Sequence, residues 1–437
     1  MNAHKKERSF GPEYVRFLGI GLAVLTVALV VFATTHVLSG STKAGSNMIS
    51  FIRAVATTTP PTISAVNQNV VEHISTPKEV RAIYLSQCGV GSVKLRNSVV
   101  NIIETTGLNA IVIDIRDYTG RLSIHTNNPI LRDMVSPACG ALDMRAFIKS
   151  LHEKNIYVIG RITTFQNPYY TKLHPEQAVQ KKGGGVWADR KGLAFVDVGA
   201  KPYWDTVVEL GKVSYTDFGF DELNFDYVRF PSDGPMELAI YSWDKGTTKA
   251  KALETFFKYL SEGLRPTGVK MSADLFGMTT TNYDDLNIGQ VLERALPYFD
   301  YIDPMVYPSH YPKGFNGYAK VNDHSYDIVH YSLKHAVERT LATSTKEASF
   351  AYTPIASTSP QLYVKPVYPA SAIRPWLQSF DYPVVYTPQM VSAQIKANED
   401  AGLHSYLFWD PSNKYRSLKA ALDAEKKQST TTAQKTQ

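Results

Sequence analysis

The chain is poor in cysteine: Cys88 and Cys139 are its only two in 437 residues, too few to build a disulfide scaffold. A basic stripe is also missing. The net charge is +6, but Lys5, Lys6 and Arg8 lie near one terminus and Lys426, Lys427 and Lys435 near the other. The body between them is close to balanced and carries no nucleic-acid motif, which argues against a nucleic-acid partner. No repeat of fixed period is present, against solenoids and propellers. No Gly-rich phosphate fingerprint follows the first expected strand, against a dinucleotide-binding sheet. No His or Cys cluster has ligand spacing, so neither a metal nor a cofactor is expected.

A last absence is the most informative. From Phe17 to Leu38 the sequence "FLGIGLAVLTVALVVFATTHVL" has no Asp, Glu, Lys or Arg. As a helix this run is long enough to cross a hydrocarbon core of about 30 Å. Lys5, Lys6, Arg8 and Arg16 precede it, so the positive-inside rule puts the N-terminus in the cytoplasm. The run exceeds the apolar core of about 7–15 residues found in cleaved signal peptides, which favours an uncleaved anchor. The expected organisation is therefore a cytoplasmic tail over 1–16, a single-pass transmembrane helix over 17–38 in the lipid bilayer, and a flexible linker over 39–76. An extracytoplasmic domain follows over 77–425. The linker is rich in Ser, Thr, Asn and Pro ("ATTTPPTIS"), and the ending "STTTAQKTQ" marks 426–437 as a disordered tail.

Within the body, 44% hydrophobic and 20% charged residues indicate a globular domain. Apolar β-like runs at 80–86, 109–117, 156–164, 221–230, 269–277, 301–307, 374–380 and 404–410 alternate with helical periodicity. The helices are expected after Ser92, around Met144 to Leu151, near 202–214, around Leu253 to Leu260, and near 286–297, 324–341 and 388–401. Residues 343–372 fit neither a helix nor the alternation, and are expected to form an insertion. Eight such units predict an α/β fold, a parallel (β/α)8 TIM barrel.

Chemistry in such barrels sits at the C-terminal strand ends. Those ends carry Asp114, Arg116, Arg161, Asp226, Arg229, Asp274, Asp303, Tyr307, His310, Gln378 and Asp410. Carboxylates among Arg, Tyr and Trp suit a sugar site, because glycoside hydrolysis places two carboxyls about an oxocarbenium-like transition state. In "DELNFDYVRFPSDG" the strand period puts Glu222, Asn224 and Asp226 on one inward face. Of the three, Glu222 is expected deep in the barrel, Asn224 to orient a substrate, and Asp226 at the rim. Tyr227 is expected to face the helices.

"FDELNFDYVRFPSDG", "MVYPSHYPKGFNG", "RPWLQSF" and "SYLFWDPSNKY" resemble a bacterial family of glycoside-hydrolase-type domains, over roughly residues 79–418. That family is distantly related to the α-amylase-type barrels and is usually secreted or membrane-anchored. The resemblance implies action on glycosidic bonds, with Asp226 as nucleophile and Asp274 as general acid. The α-amylase pattern has an Arg two residues before the nucleophile; here Asn224 stands there and Arg229 follows instead. Arg229 is accordingly expected to hold Asp226 ionised, and Asp274 to sit in a drier place that keeps it protonated. The remaining rim residues are expected to bind substrate. The expected function is hydrolysis of an envelope or extracellular polysaccharide; the alternative is a non-catalytic carbohydrate-binding or envelope-organising barrel. Cys88 and Cys139 each follow a strand on the same rim, as a bridge or as two thiols.

Overall fold

A barrel strand is covered on both faces and so needs apolar or fully satisfied side chains throughout. Ala110–Arg116, AIVIDIR, is buried at all seven positions and has that character. In the computed structural model, which describes residues 71–243 and 246–435, eight strands of this kind close into a barrel. They are β1 Arg81–Leu85, β2 Ala110–Arg116, β3 Tyr157–Thr163, β4 Glu222–Asp226, β5 Lys270–Phe276, β6 Tyr301–Met305, β7 Trp376–Gln378 and β8 Tyr406–Trp409. Each strand pairs in parallel with its neighbours in sequence, and β8 closes on β1.

Besides two short helices, Gln87–Gly91 and Pro168–Leu173, the described α-helices are α1 Val93–Thr105, α2 Met144–His152, α3 Lys201–Val213, α4 Lys249–Leu264, α5 Leu292–Ala295, α6 Ser325–Leu341, α7 Pro388–Asp400 and α8 Arg416–Lys435. Their starts are written locally. Ser92, Thr248 and Thr387 each accept a backbone N–H of the first turn, and Pro stands in the first turn of α3 and α7. Two expectations need correction. The helix expected near 286–297 shrinks to the single turn α5. Asp284 and Asp285 take the backbone N–H groups of Leu286 and Asn287, both of which have positive φ, so this stretch is a turn. At the other end, residues expected as a tail from 426 continue α8 to Lys435.

Residues 17–38, and with them the expected membrane span, lie outside the described residues, as does the linker up to 70. Among the described residues no helix is long and apolar enough to cross a membrane. Residues 71–76 already belong to the folded unit. The Ile74 N–H donates to Asp221 at 2.9 Å, Thr76 and Tyr157 share a hydroxyl hydrogen bond of 3.1 Å, and His73 stacks on Tyr215. These contacts close the N-terminal end of the barrel, opposite the catalytic rim of this fold.

The insertion at 343–372 forms a three-stranded antiparallel sheet of Ser344–Thr345, Thr353–Pro354 and Tyr363–Val364. It is held against the helical layer. Ser349 and the Phe350 N–H donate to Glu254 of α4, Tyr352 donates to the Glu293 carbonyl of α5, and Lys365 to the Thr340 carbonyl of α6. Cys88 and Cys139 are joined by a disulfide that ties the segment after β1 to the loop after β2.

Candidate active site

The barrel interior is divided. On one side Ala82, Tyr84, Ala110, Val112, Ile159 and Leu407 form an apolar cluster. On the other side Glu222, Asn224, Ser272, Asp303 and Arg374 fill the bore with polar groups, all of them 0% exposed. Arg374 donates to Asp303 at 3.1 and 2.8 Å and to both oxygens of Glu222, one at 3.1 Å. Ser272 donates to Glu222 at 2.7 Å. Asn224 links this layer to the rim: its amide donates to Asp303 at 3.1 Å and to Asp274 at 2.8 Å. Buried charges are tolerable only when paired, and here each is paired.

Above that layer, Arg161 organises the rim. Its Nη1 donates to Asp114 at 2.6 Å; its Nε donates to Asp226 at 3.1 Å, and Nη2 also reaches Asp226. The same Nε stands 4.0 Å from Asp274 Oδ2. Two carboxyls held to one nitrogen at 3.1 and 4.0 Å cannot have their nearest oxygens more than about 7 Å apart. That bound on the nearest oxygens is compatible with the carboxyl spacing of about 5–5.5 Å of retaining glycosidases and with that of about 6.5–9.5 Å of inverting ones. Asp114 supports Arg161 from behind and accepts the Tyr84 hydroxyl; its burial pushes its pKa up to about 6.

The two rim carboxyls differ in environment. Asp226 is neutralised by Arg161 and accepts the Tyr227 N–H on its other oxygen. Asp274 is buried, and desolvation, with the charges of Asp226 and Asp303 beside it, raises its pKa well above the ordinary carboxylate value. Asp274 Oδ1 accepts both Trp376 Nε1 at 2.7 Å and the Asn224 amide. With Oδ1 taken up by two donors, a proton on this carboxyl would sit on Oδ2, the oxygen 4.0 Å from Arg161 Nε.

These groups open into one cavity, lined by Arg161, Asp226, Arg229, Asp274, Tyr307 and His310 together with Tyr227, Phe276, Met278, Met305, Trp376 and Trp409. Gly277 is required there, since a Cβ would meet the Met305 carbonyl at 2.4 Å. Six of the residues expected at the site are thus brought together, with Asp114 behind them and Asn224 and Asp303 one layer below.

Three expected binders lie elsewhere. A register shift between Asp114 and Arg116 turns Arg116 out of the bore. It donates to the Thr163 carbonyl at 2.8 Å and faces the Tyr203 ring of α3. Gln378 is fully buried and binds backbone of two rim loops. Asp410 accepts the backbone N–H groups of Ser412, Lys414 and Tyr415, and so shapes the turn after β8. Arg229 lines the cavity, but it donates to the Phe230 carbonyl and Ser232; the partner of Asp226 is Arg161. Tyr227 does not face the helices. Its φ of 48° takes the chain through the left-handed region just after Asp226 and turns the residue to the cavity. Tyr84 and Arg374 were not anticipated. Counting by twos from Ala82 places Tyr84 inward, and asking what neutralises a buried Glu222 points to an arginine.

The fold has counterparts among solved structures. The PgaB (BpsB) glycoside hydrolase domain from Bordetella bronchiseptica superposes with a TM-score of 0.53 at 12% identity, covering 79% of this chain and 99% of that one. Alpha-L-fucosidase isoenzyme 2 from Paenibacillus thiaminolyticus gives 0.51 at 10% identity, covering 79% and 49%. At these identities the likeness is one of fold. A hypothetical protein from Ruminiclostridium thermocellum is 31% identical over 47% of this chain and 98% of its own, with a TM-score of 0.40. No curated protein matches the chain. The model of a family described as "Putative glycosyl hydrolase domain" matches residues 82–415, nearly the whole barrel, and the chain belongs to that family.

Proposed function

We propose that this protein is a membrane-anchored glycoside hydrolase that cleaves an envelope or extracellular polysaccharide with Asp226 and Asp274. The observation that carries the proposal is the opposed setting of two neighbouring carboxyls: Asp226 is charge-paired by Arg161, while Asp274 is desolvated and favours its proton. Environments that drive two titratable groups apart assign a base and an acid.

In this mechanism the sugar lies against the aromatic wall of Tyr307 and Trp409, with its anomeric carbon toward Asp226. Asp274 Oδ2 gives its proton to the glycosidic oxygen as the C–O bond breaks and the leaving sugar departs as an alcohol. The Asp226 carboxylate meets the positive charge that develops at the anomeric carbon. Bond formation to Asp226, followed by attack of water deprotonated by Asp274, returns both groups to their starting states and releases a retained sugar. Arg161 sets the position of the carboxylate, and Tyr307 remains a neutral phenol, its pKa raised by burial and by both acids. The family match supports action on glycosidic bonds. Membrane anchorage rests on the charge-free run at 17–38 and its basic flank. The outer position of the insertion supports a catalytic barrel over a plugged, binding one, because its anchors lie on α4, α5 and α6.

The test is turnover of a polysaccharide and aryl-glycoside panel by the full chain and by Asp226→Asn. The variant should lose at least about 10²-fold in kcat while keeping its fold. Retention of a tenth of the activity would refute the assignment.

A further inference from the structure

The cavity has a volume of about 240 Å³. Sites that enclose a whole drug-sized ligand take about 300–1,000 Å³, so this one holds little more than a single ring. Any longer substrate has to continue outside it, and the rim offers a path. Tyr307 and Trp409 line the cavity and stack on each other, with ring centroids 5.6 Å apart and planes inclined by 29°. Phe380 stands edge-on to both, at 5.0 Å from Trp409 and 5.5 Å from Tyr307. His310 follows at 6.0 Å from Phe380, and Tyr382 at 6.2 Å from His310. Tyr382 is 59% exposed and ends the row at the surface.

This tract is held in place. Buried Gln378 accepts the Ser309 N–H at 3.3 Å and donates to the carbonyls of Phe380 at 3.0 Å and Tyr382 at 3.3 Å. One side chain thereby fixes the β6 loop, which carries His310, and the β7 loop, which carries Tyr382, relative to each other. Asp381 accepts the Tyr386 N–H at 2.7 Å and closes the same loop. A rigid row of rings with an exposed end suits a ligand that presents successive apolar faces at ring spacing, as the sugars of a glycan do.

We infer that the Phe380–His310–Tyr382 tract binds the sugar units next to the one being cleaved, so that the preferred substrate is an extended glycan rather than a single glycoside. This inference rests on the hydrolase reading above, and its occupant is fixed by its continuity with the catalytic cavity. Gln378 acts as a positioning residue for the tract, which accounts for a buried glutamine at a strand end that never meets the cavity.

The experiment compares kcat/KM for a polysaccharide with kcat/KM for its 4-nitrophenyl monoglycoside, using the full chain in detergent. Tyr382→Ala should lower the polymer-to-monoglycoside ratio about fivefold to tenfold, the size of one lost aromatic contact. Tyr382→Phe, which keeps the ring, should hold the ratio near that of the unmodified protein. An unchanged ratio in Tyr382→Ala overturns the inference and leaves the hydrolase reading standing; a tract serving a protein or lipid surface would give that result. A second arm needs no turnover. Asp226→Asn is run through gels containing amylose, β-1,3-glucan or partly deacetylated chitin, beside the same variant carrying Tyr382→Ala. Retardation that disappears with Tyr382→Ala supports the tract even if no activity is found, in which case the hydrolase reading alone fails. Equal retardation of both variants, or none in any gel, overturns it.

Discussion

Replacing Arg374 with methionine tests the electrostatic layer beneath the site. Methionine roughly preserves the volume, so the change isolates the charge. Arg374 is 0% exposed and supplies two hydrogen bonds to Asp303 and two to Glu222, both of which are also 0% exposed. Removing one partner from a buried ion pair costs about 3–5 kcal/mol, and here two carboxylates lose the same cation. The residual donors are few: Ser272 and Tyr157 for Glu222, and Asn224 for Asp303. The Asp303 pKa is already raised, with burial as the main cause and Arg374 as the main opposing one. Without Arg374 it rises further, and the folded state binds protons that the unfolded chain has released. A group with a raised folded pKa contributes stability at low pH that is lost as the pH rises through that pKa. The variant's deficit should therefore be largest at pH 8 and shrink toward pH 5, by about 1.4 kcal/mol per pH unit for each carboxyl that takes up a proton. Urea unfolding followed by tryptophan fluorescence at both values measures it. A deficit below about 1 kcal/mol at pH 8, where about 3–5 kcal/mol is expected, would refute this account, as would an equal deficit at both pH values.

Three further outcomes are expected. Activity should fall as the pH rises through the raised Asp274 pKa, and that alkaline limb should vanish from the residual activity of Asp274→Asn on aryl glycosides; persistence of the limb would remove Asp274 as the acid. Without reductant, alkylation should label neither Cys88 nor Cys139, whereas reduction should lower stability by about 4 kcal/mol, the chain-entropy value for a loop of this length; labelling of both in unreduced protein would exclude the bridge. Protease added to intact cells should digest the barrel and spare a short fragment containing residues 17–38, and full protection of the barrel would refute the extracytoplasmic orientation.

The barrel was legible because its information is local. Parallel strands covered on both faces must be apolar runs, and helices with amphipathic stripes and Ser or Thr caps announce themselves within a dozen residues. "AIVIDIR" and the Thr387-Pro388 start of α7 are cases in point. The inward face of β4 was equally legible, since a period of two allows only one alternative. The stretch at 286–297 misled because its apolar residues have helical spacing, while two Asp side chains capture the backbone for turns. Nothing in hydrophobic spacing registers that competition.

The site was less legible because its key pairings run across strands. Arg229 is three residues from Asp226 and Arg161 is sixty-five away, yet Arg161 makes the contact. Register explains the result. Arg161 stands opposite Asn224 on one side of β3 and opposite Asp114 on the other, so its guanidinium can rise between two strand ends to reach Asp226. Two residues before Asp226 the chain has Asn224 rather than an arginine, and the cation beside Asp226 comes from the neighbouring strand, at the register position paired with Asn224. Asn224 itself links Asp274 to Asp303. The pairing across strands thus accounts for two features of the site: Asp226 is held by a cation from β3, and Asp274 is linked through Asn224 to a buried, charged floor, where burial and the neighbouring acids raise its pKa.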